Sequence, residues 1–201
     1  MSSSQPAGGT VPVGGHAPLL NIANVLTCVR LVLVPVFVVA LLTEGGEDTF
    51  WRFVAFTVFV VAALTDRLDG QLARSRGLVT WFGALADPIA DKALIGAALV
   101  GLSVLGLVPW WVTVVIAGRE IGITVLRFVV IRRGVIPASR GGKAKTVAQT
   151  VAIGLFLLPL PLLFPQVPVA VPAVQWTAMA IALVLTVVTG VDYVVKALRA
   201  S

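Results

Sequence analysis

The sequence is poor in charged residues, in cysteine and in histidine. Only 12% of its 201 residues are Asp, Glu, Lys or Arg, whereas 58% are hydrophobic. Soluble domains carry about twice that charged fraction, so the composition favours a polytopic membrane protein over a soluble globule. The single cysteine, Cys28, excludes an internal disulfide. The single histidine, His16, leaves no Cys/His cluster of the kind that binds zinc.

Hydrophobic stretches of spanning length predict an all-α protein with six transmembrane helices. They cover approximately residues 24–42, 50–73, 84–107, 109–131, 146–164 and 171–198, each near the ~20 residues that a bilayer requires. The fifth helix is expected to end near Pro159, the first of several prolines. Residues 1–17 are Gly-, Ser- and Pro-rich without Lys or Arg. They predict a disordered tail rather than a signal peptide, followed by one membrane domain over residues 18–201.

The charges alternate between the connections, which predicts an orientation. Glu44, Glu47 and Asp48 fall together between the first two stretches. The basic residues fall in the alternate connections and near the C-terminus: Arg74, Arg76, Arg132, Arg133, Arg140, Lys143, Lys145, Lys196 and Arg199. By the positive-inside rule the basic connections and both termini are cytoplasmic. Because this topology accounts for the net charge of +6, no nucleic-acid partner is expected.

Four aspartates lie in otherwise apolar segments, where a carboxylate costs several kcal/mol unless it is compensated. Asp66 and Asp69 are spaced i, i+3 on the second stretch, and Asp87 and Asp91 are spaced i, i+4 on the third. Each pair therefore shares one helix face, and antiparallel packing would bring all four together near the cytoplasmic end. Carboxylates without Cys or His suit Mg²⁺, Mn²⁺ or Ca²⁺. The alternative is that these aspartates pair with neighbouring Arg and Lys residues or cap helices.

The pattern Asp-x₂-Asp-Gly-x₂-Ala-Arg-x₈-Gly-x₃-Asp-x₃-Asp, running from Asp66 to Asp91, resembles the signature of the CDP-alcohol phosphotransferases. The resemblance implies a six-helix membrane enzyme, typically a homodimer, that moves a substituted phosphate from a CDP-linked donor to an alcohol and releases CMP. It implies that the four aspartates hold one or two Mg²⁺ (or Mn²⁺) ions and that Asp91 deprotonates the acceptor. Donor-binding residues would be Gly70, Ala73, Gly83 and Arg74. For Asn24 and Thr27, contact with the nucleotide and helix capping are equally good interpretations.

Basic residues in the second half of the chain are candidates for the acceptor. Arg119 lies near the middle of the fourth stretch beside Glu120, and adjacent helix positions point about 100° apart, so we expect them to pair poorly. A buried arginine with only one adjacent acid implies either a fixed internal pair or an anionic ligand. Lys143 and Lys145 stand at the start of the fifth stretch, where topology and contact with lipid headgroups are the alternative explanation. Arg127 is a weaker candidate for binding the acceptor.

Segments 21–30, 65–70, 87–92, 119–120 and 142–149 resemble the bacterial branch of the family that uses CDP-diacylglycerol and sn-glycerol 3-phosphate. That resemblance implies an enzyme of the bacterial inner membrane, in contact with membrane lipids, that makes phosphatidylglycerophosphate and CMP at a cytoplasmic active site. Arg119, Lys143, Lys145 and Arg127 would then bind the acceptor phosphate. One departure is Ala23, where the branch has proline.

Two alternatives stay open. The same scaffold could use another acceptor, either inositol phosphate or, as in cardiolipin synthesis, phosphatidylglycerol. More distantly, buried acids and arginines could line a cation or proton transport path. Transporters commonly show internal repeats, and none is evident in this sequence.

Overall fold

The structure, a computed structural model, describes the backbone of residues 22–76, 81–130 and 140–199. It describes side chains within residues 25–65, at residue 90, and within residues 92–126 and 142–198. The described backbone is helical and contains no strand. Its long helices are α1 (Ile22–Leu42), α2 (Thr49–Arg76), α3 (Trp81–Val104), α4 (Trp110–Val130), α5 (Arg140–Leu157) and α7 (Ala170–Arg199), and α6 (Leu160–Leu163) is a single turn.

The six long helices overlap the six predicted stretches, although α5 begins six residues and ends seven residues before the predicted 146–164. Sequence signals explain some of the helix ends. A 3₁₀ turn over Thr43–Gly46 separates α1 from α2, and Gly45 and Gly46 adopt positive φ there. Gly46 suits this position because its φ is +73°, which residues with a Cβ rarely adopt, and because a Cβ would lie 2.5 Å from Leu105 Cδ1. As expected from Pro159, α5 ends at Leu157. The acidic residues of the first connection are exposed.

The core lies where the long helices meet. Helix α1 packs against α2 and α3, α5 packs against α7 and α2, and α4 packs against α7 and α3. The rings of Phe37 and Phe59 lie 5.9 Å apart at the α1–α2 contact. At the α1–α3 contact a Cβ on Gly101 would come within 2.6 Å of Leu41 Cδ2. Further fully buried members are Leu99, Leu102, Ile116, Ile153, Leu157 and Met179. The bundle is therefore closely packed around this core.

A buried arginine holds the end of the bundle that carries the acidic connection. Arg52, in the first turn of α2, donates to the backbone carbonyls of Leu157 (2.9 Å), Phe156 (2.6 Å) and Gly46 (3.2 Å). The last carbonyls of α5 have no partner within their own helix, so the guanidinium supplies the missing donors. This arrangement links the start of α2 to the end of α5.

Two segments of the described chain are long and apolar enough to cross a membrane on length and composition: Val25–Gly46 and Ala170–Leu198. The segments Thr49–Thr65 and Lys92–Val104 are shorter apolar helices. Large apolar side chains are exposed on the outward faces of α1 and α7, among them Val32, Val39, Val184 and Val188. The chain is therefore an all-helical protein with an apolar surface suited to lipid.

Candidate active site

The aspartate motif lies on two helices that contact each other. Asp66 and Asp69 are in the last turns of α2, and Asp87 and Asp91 are in the first turns of α3. Four residues join the two helices, so the helix ends that carry the aspartates lie at the same end of the bundle. The backbone is helical through both pairs, which provides the register that the predicted spacing requires.

Several predicted site residues lie outside the described side chains: the four aspartates, Gly70, Ala73, Arg74, Gly83, Asn24 and Arg127. Their convergence on a metal therefore stays a prediction. Among the side chains that the structure does describe, no group of three or more His, Cys, Asp or Glu could hold a metal ion.

Helix α1 presents two buried polar side chains. Thr27 and Arg30, three residues apart, are each only 1% exposed. Both therefore lie on the face of α1 that packs inside the bundle, and α1 contacts both helices of the aspartate motif. Because Arg30 shares this buried face with Thr27, it joins Thr27 as a candidate site residue. The sequence contained a signal for it, since Arg30 ends the 21–30 segment.

A cavity of about 370 Å³ lies between α3, α4 and α5. Its α3 wall begins at Lys92, the residue that follows Asp91. Its polar lining on the other helices consists of Glu120, Lys145, Thr146 and Gln149, and its apolar lining includes Leu99, Ile116 and Ile121. The described lining of the cavity thus runs from Lys92, the residue after Asp91 in the sequence, to Glu120 and Lys145.

One carboxylate in this region is shared by two cations. Glu120 Oε1 accepts a hydrogen bond from Lys145 Nζ and another from Arg119 Nη1 at 3.2 Å. All three side chains are largely buried, with 6% to 19% of each exposed. The cluster therefore carries a formal net charge of +1 inside an apolar bundle, and such a cluster favours an anion.

The pairing of Arg119 with Glu120 corrects one expectation. Their Cα–Cβ directions diverge, as adjacent helix positions must, but the long arginine side chain brings its guanidinium back to the carboxylate. Arg119 also donates from Nη2 to Thr189 Oγ1 on α7 at 3.0 Å. The neighbouring acid therefore orients Arg119 without fully occupying it.

The structure separates the two lysines that the sequence treated alike. Lys145 is 5% exposed and reaches Glu120, whereas Lys143 is exposed at the start of α5. Two residues correspond to about 200° around a helix, so the two side chains leave α5 on opposite faces. Lys145 lines the cavity, and Lys143 does not.

Sequence reasoning left several polar residues of this region without a role. Gln149 Nε2 donates to Thr186 Oγ1 at 2.8 Å between α5 and α7, and Thr189 holds Arg119. Gln149 stands in the 142–149 segment and could have been singled out. The two threonines carry no sequence signal, because threonine is common in apolar helices, where its hydroxyl bonds the backbone.

Asp192 forms an ion pair with Lys196 at 2.7 Å, and both side chains are exposed, so this acid has the role of a surface partner.

Comparison with known proteins places the chain in a family. The family description "CDP-alcohol phosphatidyltransferase" matches residues 20–188. A probable phosphatidylglycerophosphate synthase of Mycobacterium tuberculosis is 58% identical over 98% of this chain and 90% of its own length. The CDP-diacylglycerol–glycerol-3-phosphate 3-phosphatidyltransferase of Bacillus subtilis is 36% identical over 89% and 95% of the two chains. The Escherichia coli protein of the same name is 41% identical over 68% and 76%. The chain belongs to the CDP-alcohol phosphatidyltransferase family.

Proposed function

We propose that this protein transfers a phosphatidyl group from CDP-diacylglycerol to sn-glycerol 3-phosphate, giving phosphatidylglycerophosphate and CMP. The names of its relatives support the substrates. The observation that supports the proposal is the cavity, because its α3 wall includes Lys92, the residue after Asp91 in the sequence, and its other walls include Glu120 and Lys145. Arg119 does not line this cavity but is bonded to Glu120. A donor site and an anion-binding site would thus adjoin.

The donor half of the site is assigned to the aspartate motif. Asp66, Asp69, Asp87 and Asp91 would hold one or two Mg²⁺ (or Mn²⁺) ions, since all four are hard carboxylate ligands and their helices contact each other. When bound, the metal would neutralise charge on the oxygens of the donor pyrophosphate. Gly70, Ala73 and Gly83 would leave room for the cytidine, with Arg74 on the donor phosphates and Asn24 and Thr27 facing the nucleotide.

The acceptor half is assigned to the basic cluster. Arg119 and Lys145 would hold the phosphate of glycerol 3-phosphate, because both are largely buried cations that share Glu120. Lys145 and Glu120 line the cavity, and Arg119 adjoins it through its bond to Glu120. Lys143, which is exposed, would attract the anion towards the site rather than bind it directly. Arg127, on the last turns of α4, is assigned the same secondary role.

The reaction then needs a base and a leaving group. Asp91 would accept the proton of the acceptor hydroxyl as its oxygen attacks the phosphorus that carries the diacylglycerol. The bond from that phosphorus to the bridging oxygen breaks, and CMP leaves with the electron pair. Fixing the acceptor by its phosphate positions the hydroxyl for attack, which is the main contribution expected from the basic cluster.

The size of the cavity favours a small acceptor. A volume of about 370 Å³ is at the low end of the ~300–1,000 Å³ common for ligand sites. Phosphatidylglycerol would have to bring two acyl chains, and inositol phosphate would need partners for a ring of hydroxyls. Among the described residues, the uncharged polar lining next to Lys145 consists of Thr146 and Gln149, which suits a three-carbon acceptor.

The proposed setting is the bacterial inner membrane, crossed six times. The shortest of the six long helices, α5, has 18 residues, or about 27 Å at 1.5 Å per residue, close to the ~30 Å of a bilayer core. The exposed acidic connection after α1 would be external, and the active site and both termini cytoplasmic. We also propose a homodimer, as expected for this family, which cross-linking in native membranes would test.

An acceptor panel tests the proposal. Membranes containing the protein are given CDP-diacylglycerol and Mg²⁺ with glycerol 3-phosphate, inositol phosphate or phosphatidylglycerol, and CMP is measured. We expect release that requires glycerol 3-phosphate and stops when EDTA removes the metal. Release with only one of the other two acceptors would replace the proposed substrate, and no metal-dependent release with any acceptor would refute the reaction.

A further inference from the structure

Two adjacent residues of helix α7, Thr189 and Gly190, contact the side chain of Arg119. Thr189 Oγ1 accepts from Arg119 Nη2 at 3.0 Å, and Gly190 faces the arginine stem. The buried Nε of Arg119 has no hydrogen-bond partner among the described residues. A guanidinium has five N–H groups, and an uncompensated buried one is costly. Arg119 is therefore held in place while part of its donor capacity is left for another acceptor.

The hydroxyl of Thr189 is oriented to receive the arginine. Its oxygen lies 2.6 Å from the carbonyl oxygen of Leu185, one turn earlier on α7. The hydroxyl proton is donated to that carbonyl, so an oxygen lone pair remains for Arg119 Nη2. Valine at this position would keep the shape of the side chain but could not accept a hydrogen bond from Arg119.

Gly190 leaves the space in which the arginine stem lies. An ideal Cβ at this residue would be 3.1 Å from Arg119 Cγ and 3.3 Å from Nε. These atoms are at the base and middle of the side chain, so relieving the contact displaces the guanidinium as well. Gly118 and Gly122 on α4 differ in this respect, since a Cβ at either residue meets no atom within 4 Å.

Helices α4 and α7, which Arg119 and Thr189 connect directly, are also connected through α5. Lys145 donates to Glu120 of α4, and Gln149, one turn later, donates to Thr186 of α7. Together with the contact between Arg119 and α7, these bonds close a loop through α4, α5 and α7. The position of the cationic groups thus depends on α7, although α7 contributes no charge to the cluster.

We propose that Thr189 and Gly190 are positioning residues for the acceptor-phosphate site, acting through Arg119. This inference rests on the proposed function and extends it to a helix outside the aspartate motif. It assigns α7 a role in acceptor affinity, whereas donor affinity, which depends on α2 and α3, is expected to be independent of these two residues.

The first test uses Thr189→Val and Thr189→Ser in purified, detergent-solubilised enzyme with Mg²⁺. We expect Thr189→Val to raise the KM for glycerol 3-phosphate about tenfold, equivalent to about 1.4 kcal/mol, with the KM for CDP-diacylglycerol within twofold of wild type. Thr189→Ser retains the acceptor oxygen and should restore the wild-type KM. In an Arg119→Ala background, Thr189→Val should have no further effect on the acceptor KM.

The second test compares Gly190→Ala with Gly118→Ala, a matched change on the neighbouring helix with open space around it. We expect Gly190→Ala to raise the acceptor KM and Gly118→Ala to leave it unchanged. If Gly190→Ala does not fold, as judged by thermal unfolding, the Thr189 pair decides the question alone.

The outcomes separate this inference from the reaction itself. Wild-type CMP release that depends on glycerol 3-phosphate, with an unchanged acceptor KM in Thr189→Val, overturns the positioning role and leaves the reaction standing. Equal rises in both KM values, or a rise that persists in the Arg119→Ala background, also overturn it. A wild-type enzyme without glycerol-3-phosphate-dependent release overturns both proposals.

Discussion

Replacing Lys145 by methionine should weaken acceptor binding specifically, and replacing Lys143 in the same way should weaken it much less. Methionine fills a similar volume without charge. Lys145 is buried at the cavity and bonded to Glu120, whereas Lys143 is exposed two residues earlier on the same helix. The two substitutions therefore remove the same charge from the same helix end, and only their surroundings differ.

The expected magnitudes follow from burial. A hydrogen bond to a charged group inside a protein is worth about 1.5–3 kcal/mol, so Lys145→Met should raise the KM for glycerol 3-phosphate about 10- to 100-fold. An exposed charge contributes about 0–1 kcal/mol, so Lys143→Met should raise it by no more than about fivefold. The KM for CDP-diacylglycerol should stay within twofold for both variants.

Steady-state kinetics in detergent, with each substrate varied in turn, measures these effects. Lys145→Arg, which retains the charge, controls for loss of the buried ion pair, and thermal unfolding confirms that each variant is folded. The reasoning is refuted if both methionine variants raise the acceptor KM equally, if Lys143→Met has the larger effect, or if Lys145→Met mainly raises the KM of the donor.

Two further predictions concern the aspartate motif and the opposite end of the bundle. Asp91→Asn should abolish turnover, because only Asp91 is assigned a proton-transfer role, and it should retain more CDP-diacylglycerol binding than Asp69→Asn. Near-normal turnover in Asp91→Asn would show that Asp91 is not the base. Arg52→Met should lower the free energy of unfolding by several kcal/mol, and the unfolding midpoint with it, since three backbone carbonyls lose a charged donor worth about 1.5–3 kcal/mol each. Both KM values should stay unchanged in that variant, and an unaltered midpoint would show that the carbonyls find other partners.

Hydropathy and proline placement were sufficient to predict the helices. The six long helices overlap the six stretches because an apolar run of spanning length has few alternatives to a helix. The end of α5 at Leu157 follows from Pro159, which cannot donate a backbone hydrogen bond. The number of helices that cross the membrane is a separate matter, since two described segments meet the length and composition test.

The acceptor side of the site was predicted only in part. Sequence reasoning selected Arg119 and Lys145, which the structure brings together on Glu120. It could not separate Lys145 from Lys143, because the face of α5 that turns inward is decided by packing against other helices. It also missed Thr189 and Gly190, whose effect depends on a contact between α4 and α7 that no local pattern encodes.

The central claim is that glycerol 3-phosphate receives the phosphatidyl group, and product analysis tests it most directly. Purified protein is incubated with CDP-diacylglycerol, Mg²⁺ and isotopically labelled glycerol 3-phosphate, and the lipid and aqueous fractions are analysed by mass spectrometry. We predict labelled phosphatidylglycerophosphate in the lipid fraction and an equal molar amount of CMP in the aqueous fraction. Label that stays in the aqueous fraction, while CMP forms only after inositol phosphate or phosphatidylglycerol is added, would contradict the claim.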